Sequence, residues 1–366
     1  MVGLRSLPPA PGSSETPGRS RRRLAAPLVV LLFVISAAGA ALLYARHRGA
    51  STIGLPLQAV ARVALPAPSS RFDYAELDSA AHRLFLAQLG ASRLLVIDTD
   101  TRRVGSVTGA LADVHGVIVV PAVRRVFVTA TGSNQLVALD EVTGAEEFRA
   151  PTGDYPDGLV YVPSTGQVWI SNETGRSETV VDATTGASVG TVPLGGEAGN
   201  VRYDARSDRV LVDVQTANVV AVIDPRSRRI LSRASVPGCD HAHGLVVDPA
   251  GTRAFVACDG NARLVVLSLP DLRPLGHFPV GDAPDVLALD ATRRLLYVSA
   301  ESGVVTTLDI HTAPGRVTGR ARLGDNAHVV AVNPTTGEAF FPLLSSATRG
   351  RPRCLLPSPA EPAGGP

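Results

Sequence analysis

Carboxylate and imidazole side chains recur at one phase of a repeat along this sequence. When segments that read as an apolar run followed by Asp or Pro and a short turn are aligned, the equivalent positions lie 42, 42, 42, 44, 42 and 43 residues apart. We call the residues at these positions the ring residues: Asp73, His115, Asp157, Gly199, His243, Asp285 and His328. Carboxylates and imidazoles can act as general acids and bases or as metal ligands. Three of the eight His of the chain occupy this one phase, which favours a ligand or metal site.

Further polar residues are expected beside the ring residues, because in an array of repeats equivalent loops lie on one face. The ligand-binding candidates are Asp73, His115, Asp157, His243, Asp285, His328, Tyr155, His241, Asp259, Glu173, Glu301 and Asn326. The metal-ligand candidates among them are His115, His243, His328, Asp157 and Asp285. A structural alternative stays open, in which a polar ring residue only caps the turn before its strand. The sequence contains no H-E-x-x-H or C-x-x-C motif, and no catalytic residue is assigned.

The repeat unit that carries His243 shows what must position these side chains. Four short apolar segments, at 245–247, 254–257, 264–267 and 275–280, are separated by turns rich in Gly, Pro, Asn and Asp. Four strands repeated about every 42 residues are typical of a blade of a WD40-like propeller. We therefore expect an all-β protein, a seven-bladed β-propeller over residues 57–356. Residues 57–65 would supply its closing strand, and the blades would start near residues 71, 113, 155, 197, 241, 283 and 326.

The N-terminal region predicts a membrane segment before the propeller. Arg21, Arg22 and Arg23 precede an uncharged apolar run at 24–45, which is long enough for a transmembrane helix acting as a signal anchor. Residues 1–23 would then be a disordered basic cytoplasmic tail, 46–56 a linker and 357–366 a disordered tail. The propeller would face the periplasm or the extracellular side of the cell membrane. A cleaved signal peptide ending near Ala38-Gly39-Ala40 is the alternative, and it would make the protein secreted.

Charge and cysteine content exclude some functions. The net charge of +2 comes from seven Arg in residues 1–48, and the remainder has 28 basic and 32 acidic residues. A mildly acidic body argues against nucleic-acid binding, which requires a positive patch. Of the three Cys, Cys239 and Cys258 would lie at one face of neighbouring antiparallel strands. They would form a disulfide in an oxidising compartment, and thiolate ligation of a metal or two free thiols stay open.

Three phrases carry a resemblance to a known family. Tyr203-Asp204, Val222-Ile223-Asp224-Pro225 and Leu296-Tyr297-Val298-Ser299-Ala300 resemble repeats of the YVTN-type bacterial propellers, the YncE-like family. The resemblance covers about residues 57–343 and implies the propeller fold. It implies no single activity, because that fold supports binding proteins, lyases, lactonases and cofactor enzymes.

Three functions follow from these residues. The first is binding of a small molecule, a metal ion or a protein partner at a mouth lined by Asp and His. The second is a lyase or lactonase that uses a divalent metal ion in the same ring. The third is a passive scaffold for envelope proteins. A divalent metal ion is the candidate cofactor, and whether the protein is an enzyme stays open.

Overall fold

Short strands dominate the part of the chain that the structure describes. The computed structural model describes residues 54–67, 70–107, 111–250, 252–325, 327–344 and 353–359, which all belong to one compact unit. The first strand, β1, spans Leu57–Ala64. Five short 3-10 helices lie between later strands in these ranges, at Leu89–Ala91, Pro121–Val123, Thr131–Ser133, Gln215–Ala217 and Asp259–Asn261.

Six blades are each built from four consecutive antiparallel strands. The first three blades contain β2 Ala75–Asp78, β3 Arg83–Gln88, β4 Arg93–Asp98 and β5 Val104–Val107; β6 Val114–Val120, β7 Arg125–Ala130, β8 Gln135–Asp140 and β9 Glu146–Pro151; and β10 Pro156–Val162, β11 Gln167–Asn172, β12 Ser177–Asp182 and β13 Ser188–Pro193.

The next three blades follow the same order. They contain β14 Ala198–Asp204, β15 Arg209–Val214, β16 Val219–Ile223 and β17 Ile230–Ser235; β18 Ala242–Val247, β19 Arg253–Cys258, β20 Arg263–Ser268 and β21 Pro274–Pro279; and β22 Pro284–Asp290, β23 Leu295–Ala300, β24 Val304–Asp309 and β25 Arg316–Arg322. In each blade the first strand is innermost and the fourth is outermost.

The remaining sheet, which we call the composite sheet, joins the two ends of the described chain. Its strands are β26 Ala331–Val332, β27 Ala339–Leu343 and β28 Arg353–Pro359, and β1 completes the order β1-β28-β27-β26. The prediction of a seven-bladed propeller made of seven equivalent repeats is therefore corrected: six repeats form blades of consecutive strands, not seven. The strand over 353–359 also shortens the tail that the sequence predicted from residue 357.

Apolar side chains fill the space between neighbouring blades. In β7, five of the six residues are buried, because the second strand of a blade is covered by sheets on both faces. The largest fully buried side chain is that of Trp169, which packs among Val180, Val201 and Val212. This packing holds the inner strands in a fixed arrangement around the axis.

The structure does not support the predicted membrane anchor. The apolar run at 24–45 lies outside the described residues, as do residues 1–23 and 360–366. Among the described residues, no helix has the length and apolar character that crossing a membrane requires. The membrane localisation that rested on this anchor is withdrawn with it.

Candidate functional site

A β-bulge in the inner strand presents the ring residue in five blades. The antiparallel register with the second strand shifts between Val114 and Val117, and equivalent shifts occur in the four blades that follow. A bulge bends the strand and redirects a side chain. Here it places the ring residues at one end of the propeller axis, which we call the axial mouth. Asp73, His115, Asp157 and Asp285 are at most 9% exposed, and His328 is fully buried.

Gly199 leaves one ring position without a side chain. A Cβ at this position would lie 2.9 Å from the backbone oxygen of His243 and 3.0 Å from that of Ala242. The next blade therefore leaves no space for a side chain at Gly199. The same steric reason applies to Gly116, where a Cβ would lie 2.3 Å from the backbone oxygen of Asp157.

Asp73, His115 and Asp157 form a first group of potential metal ligands, which we call the first triad. Each offers one ligand atom, and these atoms lie within 4.8 Å of one another. His115 Nδ1 lies 2.8 Å from the carbonyl oxygen of Asp113, which can only accept a hydrogen bond, so Nδ1 carries the proton. His115 Nε2 lies 3.3 Å from the Tyr155 hydroxyl oxygen, and in the neutral tautomer its lone pair is available to a metal ion. It also lies 3.9 Å from Asp73 Oδ2.

The carboxyl group of Asp157 is the least satisfied member of the first triad. Tyr74 Oη lies 3.4 Å from Asp157 Oδ2 and 3.1 Å from Asn200 Oδ1. Asp157 Oδ1 is buried and has no hydrogen-bond partner among the described residues. Burial and the neighbouring Asp73 raise the pKa of Asp157 to about 7. A buried oxygen without a partner carries a desolvation cost that a bound cation would offset.

His243 on the other side of the mouth is an imidazolium. Its Nδ1 lies 2.9 Å from Gln215 Oε1, and its Nε2 lies 3.2 Å from Asp285 Oδ1. The amide nitrogen of Gln215 donates to the carbonyl of Ala198, which orients Oε1 toward the imidazole. Two acceptors require two N–H donors. Burial alone would lower the pKa of His243, but the hydrogen bond and charge of Asp285 raise it to about 10.

His328 belongs to a second triad with Asp73 and Asp285, whose ligand atoms also lie within 4.8 Å of one another. His328 Nε2 is 3.6 Å from Asp73 Oδ1 and 3.8 Å from Asp285 Oδ2, and Nδ1 is 3.7 Å from Glu301 Oε2. Burial opposes its charge, but the three surrounding carboxylates outweigh it and raise the pKa of His328. A protonated imidazole is a poor metal ligand, so the second triad is less suited to a metal than the first.

Arg71 is a residue at the mouth that the sequence interpretation missed. Its guanidinium lies 3.3 Å from Asp73 Oδ1 and 2.6 Å from Glu301 Oε1. The sequence contained a signal for Arg71, because this residue precedes its ring residue by two positions, as Asp113, Tyr155 and His241 do. Tyr74 and Asn200 also contact ring residues and were not among the predicted site residues.

The structure brings most of the predicted site residues together. A cavity of about 80 Å³ at the mouth is lined by Arg71, Asp73, Tyr74, His115, Tyr155, Asp157, Glu173, His243 and Asp285. Glu301 lies next to it through Arg71 and His328. His241 and Asp259 instead pair with each other at 2.7 Å and do not line this cavity. Asn326 lies outside the described residues.

The two cysteines beside His241 form a disulfide. Cys239 and Cys258 are bonded through sulfur, with Cα atoms 5.3 Å apart. Because both sulfur atoms are engaged with each other, thiolate ligation of a metal by these residues is ruled out in this state.

Comparisons with known proteins bear on the fold. No family model and no curated protein matches the sequence. The hydrazine synthase of Kuenenia stuttgartiensis is similar in structure with a TM-score of 0.68 and 14% identity, over 76% of this chain and 94% of that one. The RRP9 WD40 repeats give a TM-score of 0.69 at 12% identity, over 82% and 99%. The Cps50 (Swd1) β-propeller domain of Myceliophteria thermophila gives 0.68 at 14%, over 83% and 99%.

These similarities show a WD40-like β-propeller and nothing finer. At 12–14% identity they establish the fold alone. The resemblance to the YVTN-type family is not confirmed by them. What the mouth does has to be argued from its own side chains.

Proposed function

We propose that this protein is a metal-binding β-propeller whose first triad holds one divalent cation at the axial mouth. The observation that carries the proposal is the buried Asp157 Oδ1, which has no partner among the described residues and belongs to a carboxyl group that offers a ligand atom within 4.8 Å of those of Asp73 and His115. A cation bound between Asp73, His115 and Asp157 would satisfy this oxygen. It would also offset the repulsion between two buried carboxylates.

The orientation of His115 supports the same assignment. Imidazoles that bind metals usually donate their other N–H to a carbonyl or a carboxylate, which fixes the ring and its tautomer. The Nδ1 contact of His115 with the Asp113 carbonyl at 2.8 Å has this form. Two carboxylates with one imidazole are ligands that Mn²⁺ and Zn²⁺ accept.

The charges of the mouth favour one cation over two. On the side of the second triad, the His243 imidazolium pairs with Asp285. The Arg71 guanidinium pairs with Asp73 and Glu301. Asp73 Oδ1 faces Arg71 and His328, whereas Oδ2 faces His115. The protein therefore neutralises one half of the mouth itself and leaves the other half for a metal ion.

Titration of the metal-depleted protein with Mn²⁺ and with Zn²⁺ by calorimetry tests this proposal. We expect one site per chain in the wild type. Asp157→Asn and His115→Ala should weaken binding by at least about 100-fold, because loss of even an outer-shell partner costs 10 to 100-fold. His241→Ala is the matched control, since it removes an imidazole of the same face that does not line the cavity.

Two results would contradict the proposal. The first is a wild-type protein that binds neither Mn²⁺ nor Zn²⁺. The second is binding that survives in His115→Ala but is lost in His243→Gln, because the ligands would then come from the other half of the ring. Circular dichroism of each variant verifies that it is folded.

A further inference from the structure

A second cavity lies along the propeller axis beneath the mouth. It measures about 350 Å³ and is bounded toward the mouth by Tyr74, which lines both cavities. Its other lining residues come from the inner strands and are nearly all aliphatic: Ala75, Leu77, Val117, Ile118, Leu159, Val160, Val246, Val286, Leu287, Ala288, Leu289, Val330, Ala331 and Val332, with Glu76 and Arg202 the charged exceptions. We call it the axial channel.

The two charged residues occupy one phase of the repeat. The positions three residues after the ring residues are Glu76, Ile118, Val160, Arg202, Val246, Ala288 and Ala331. Five of these side chains are aliphatic. Glu76 is in the first blade and Arg202 in the fourth, so the acidic and the basic group project into the channel from opposite sides of the axis.

Glu76 and Arg202 do not pair directly. Across the described ranges, no salt bridge of 4.0 Å or less joins them, and the Glu76 carboxyl makes no side-chain hydrogen bond. Arg202 donates to the carbonyl of the adjacent Val201 at 2.8 Å. Burial raises the pKa of Glu76 to about 7, although the charge of Arg202 opposes this shift. Both side chains are half-buried and keep some access to solvent, so a ligand that displaces water from the channel must pair with both charges to avoid a desolvation cost.

We propose that the axial channel binds a small zwitterion with an aliphatic body, its carboxylate on Arg202 and its ammonium group on Glu76. The Arg guanidinium matches a carboxylate with two parallel hydrogen bonds. The Glu carboxylate accepts from an ammonium group, and the aliphatic walls remove the intervening methylenes from water. This site is separate from the first triad, and the proposal does not depend on a metal at the mouth.

The separation of the Glu76 carboxyl and the Arg202 guanidinium selects the length of the ligand. A chain with terminal charges spans the channel, and a series of ω-amino acids measures the span. The probes are 4-aminobutanoate, 6-aminohexanoate and 8-aminooctanoate, with hexanoate and hexylamine as singly charged comparisons.

Calorimetric titration of the full-length wild-type protein tests the proposal without any variant. At least one ω-amino acid should bind at least about tenfold more tightly than hexanoate and hexylamine, because each of these lacks one of the two ion pairs. Binding of hexanoate as tight as that of every ω-amino acid would overturn the proposal. The absence of binding by all three ω-amino acids would overturn it as well.

Variants then test which residue binds each charged end of the ligand. Glu76→Gln and Arg202→Met should each lower the affinity for the preferred ω-amino acid by about tenfold or more. Arg103→Met, at an exposed position in the first blade, is the control for loss of one Arg. The exchange of both charges, Glu76→Arg with Arg202→Glu, should restore binding, because a zwitterion can enter in the reverse direction. A folded exchange variant that does not bind would count against the assignment.

Discussion

A carboxyl group buried without full hydrogen bonding keeps its proton into the neutral pH range, and Glu178 shows this outside the axial mouth. Its side chain is fully buried, Ser171 donates to its Oε1 at 2.8 Å, and its Oε2 has no partner among the described residues. Burial raises the pKa of Glu178 to about 8, and the hydrogen bond from Ser171 opposes this rise only in part. The folded protein therefore binds a proton that the unfolded chain releases.

Substitution of Glu178 by Gln should change how stability depends on pH. Because the unfolded Glu178 ionises near pH 4.5 and the folded one near pH 8, the wild type loses stability as pH rises from about 5 to 8. The slope from this group is at most about 1.4 kcal/mol per pH unit. Glu178→Gln removes it, so the variant should gain stability relative to the wild type across this range. Thermal unfolding at pH 5 and pH 8 measures the difference.

Glu146→Gln is the control for this experiment, since it removes a carboxyl that pairs with Arg149 in an exposed hydrogen bond. It should leave the pH dependence close to that of the wild type. Parallel curves for the wild type and Glu178→Gln between pH 5 and 8 would show that Glu178 is ionised in the folded state.

The positions of the ring residues were predictable, but their protonation was not. A residue type that recurs about every 42 positions, as at His115 and His243, marks equivalent places in a repeat. The Asp113 carbonyl places a proton on Nδ1 of His115, whereas Gln215 and Asp285 together hold His243 in its doubly protonated form. These partners come from loops and neighbouring blades, which the repeat pattern does not specify.

At the scale of the strands, arginines connect several blades to their neighbours. Arg125, the first residue of β7, donates to the carbonyl of Ala183 at 2.6 Å, and Arg253, the first residue of β19, donates to that of Thr312 at 3.0 Å. Each reaches the turn between the third and fourth strands of the following blade. The sequence predicted the strands from alternating apolar segments and turns. It did not predict these contacts between blades, which are seen only in the structure.

The strongest of these connections is expected to be the pair of Arg294 and Asp248. Arg294 donates two hydrogen bonds to the fully buried carboxylate of Asp248, at 2.8 and 2.7 Å. Arg294→Met would leave a buried carboxylate with weaker compensation, and we expect a loss of about 3 kcal/mol in the free energy of unfolding. Chemical denaturation of the variant and the wild type measures this loss.

The double variant Arg294→Met with Asp248→Asn tests whether the uncompensated charge of Asp248 causes this loss of stability. It should recover part of the lost stability, because the uncompensated charge is gone. Arg273→Met, at an exposed pair with Asp271, is the control and should cause no measurable change. A double variant less stable than Arg294→Met would mean that packing of the Arg294 side chain, and not its charge, dominates.

At the scale of the whole molecule, the composite sheet closes the ring of blades. β1 pairs with β28 from Leu57 opposite Pro359 to Ala64 opposite Arg353. The sequence predicted a closing strand at residues 57–65, but it showed no strand after residue 342. The strand over 353–359 contains Pro357 and Pro359 and follows Gly350 and Pro352, so its composition is typical of a turn or a tail rather than a strand. The repeat pattern therefore fails where a blade is assembled from separate parts of the chain.

Removal of β1 should weaken the molecule and expose a sheet edge. A variant lacking residues 1–64 loses the outer strand of the composite sheet, together with the buried side chain of Val63. We expect its thermal midpoint to fall by about 5 °C or more. We also expect it to associate, because β28 would present unpaired backbone groups to other chains. Scanning fluorimetry and light scattering on a sizing column measure both effects.

A variant lacking only residues 1–51 is the matched comparison, since the difference between the two variants isolates β1 and the residues next to it. If both variants melt at the same temperature and stay equally monodisperse, β1 contributes no closure.

The composite sheet also makes the order of synthesis matter. The six blades of consecutive strands can form one after another as the chain leaves the ribosome, because each needs only its own residues. β1 is made before all of them, yet its hydrogen-bonding partner, residues 353–359, is made after all of them. Ring closure therefore follows the synthesis of all six blades, and a chain that terminates before residue 353 keeps an open edge. Such an edge would distinguish an incomplete chain from a finished one to chaperones and proteases.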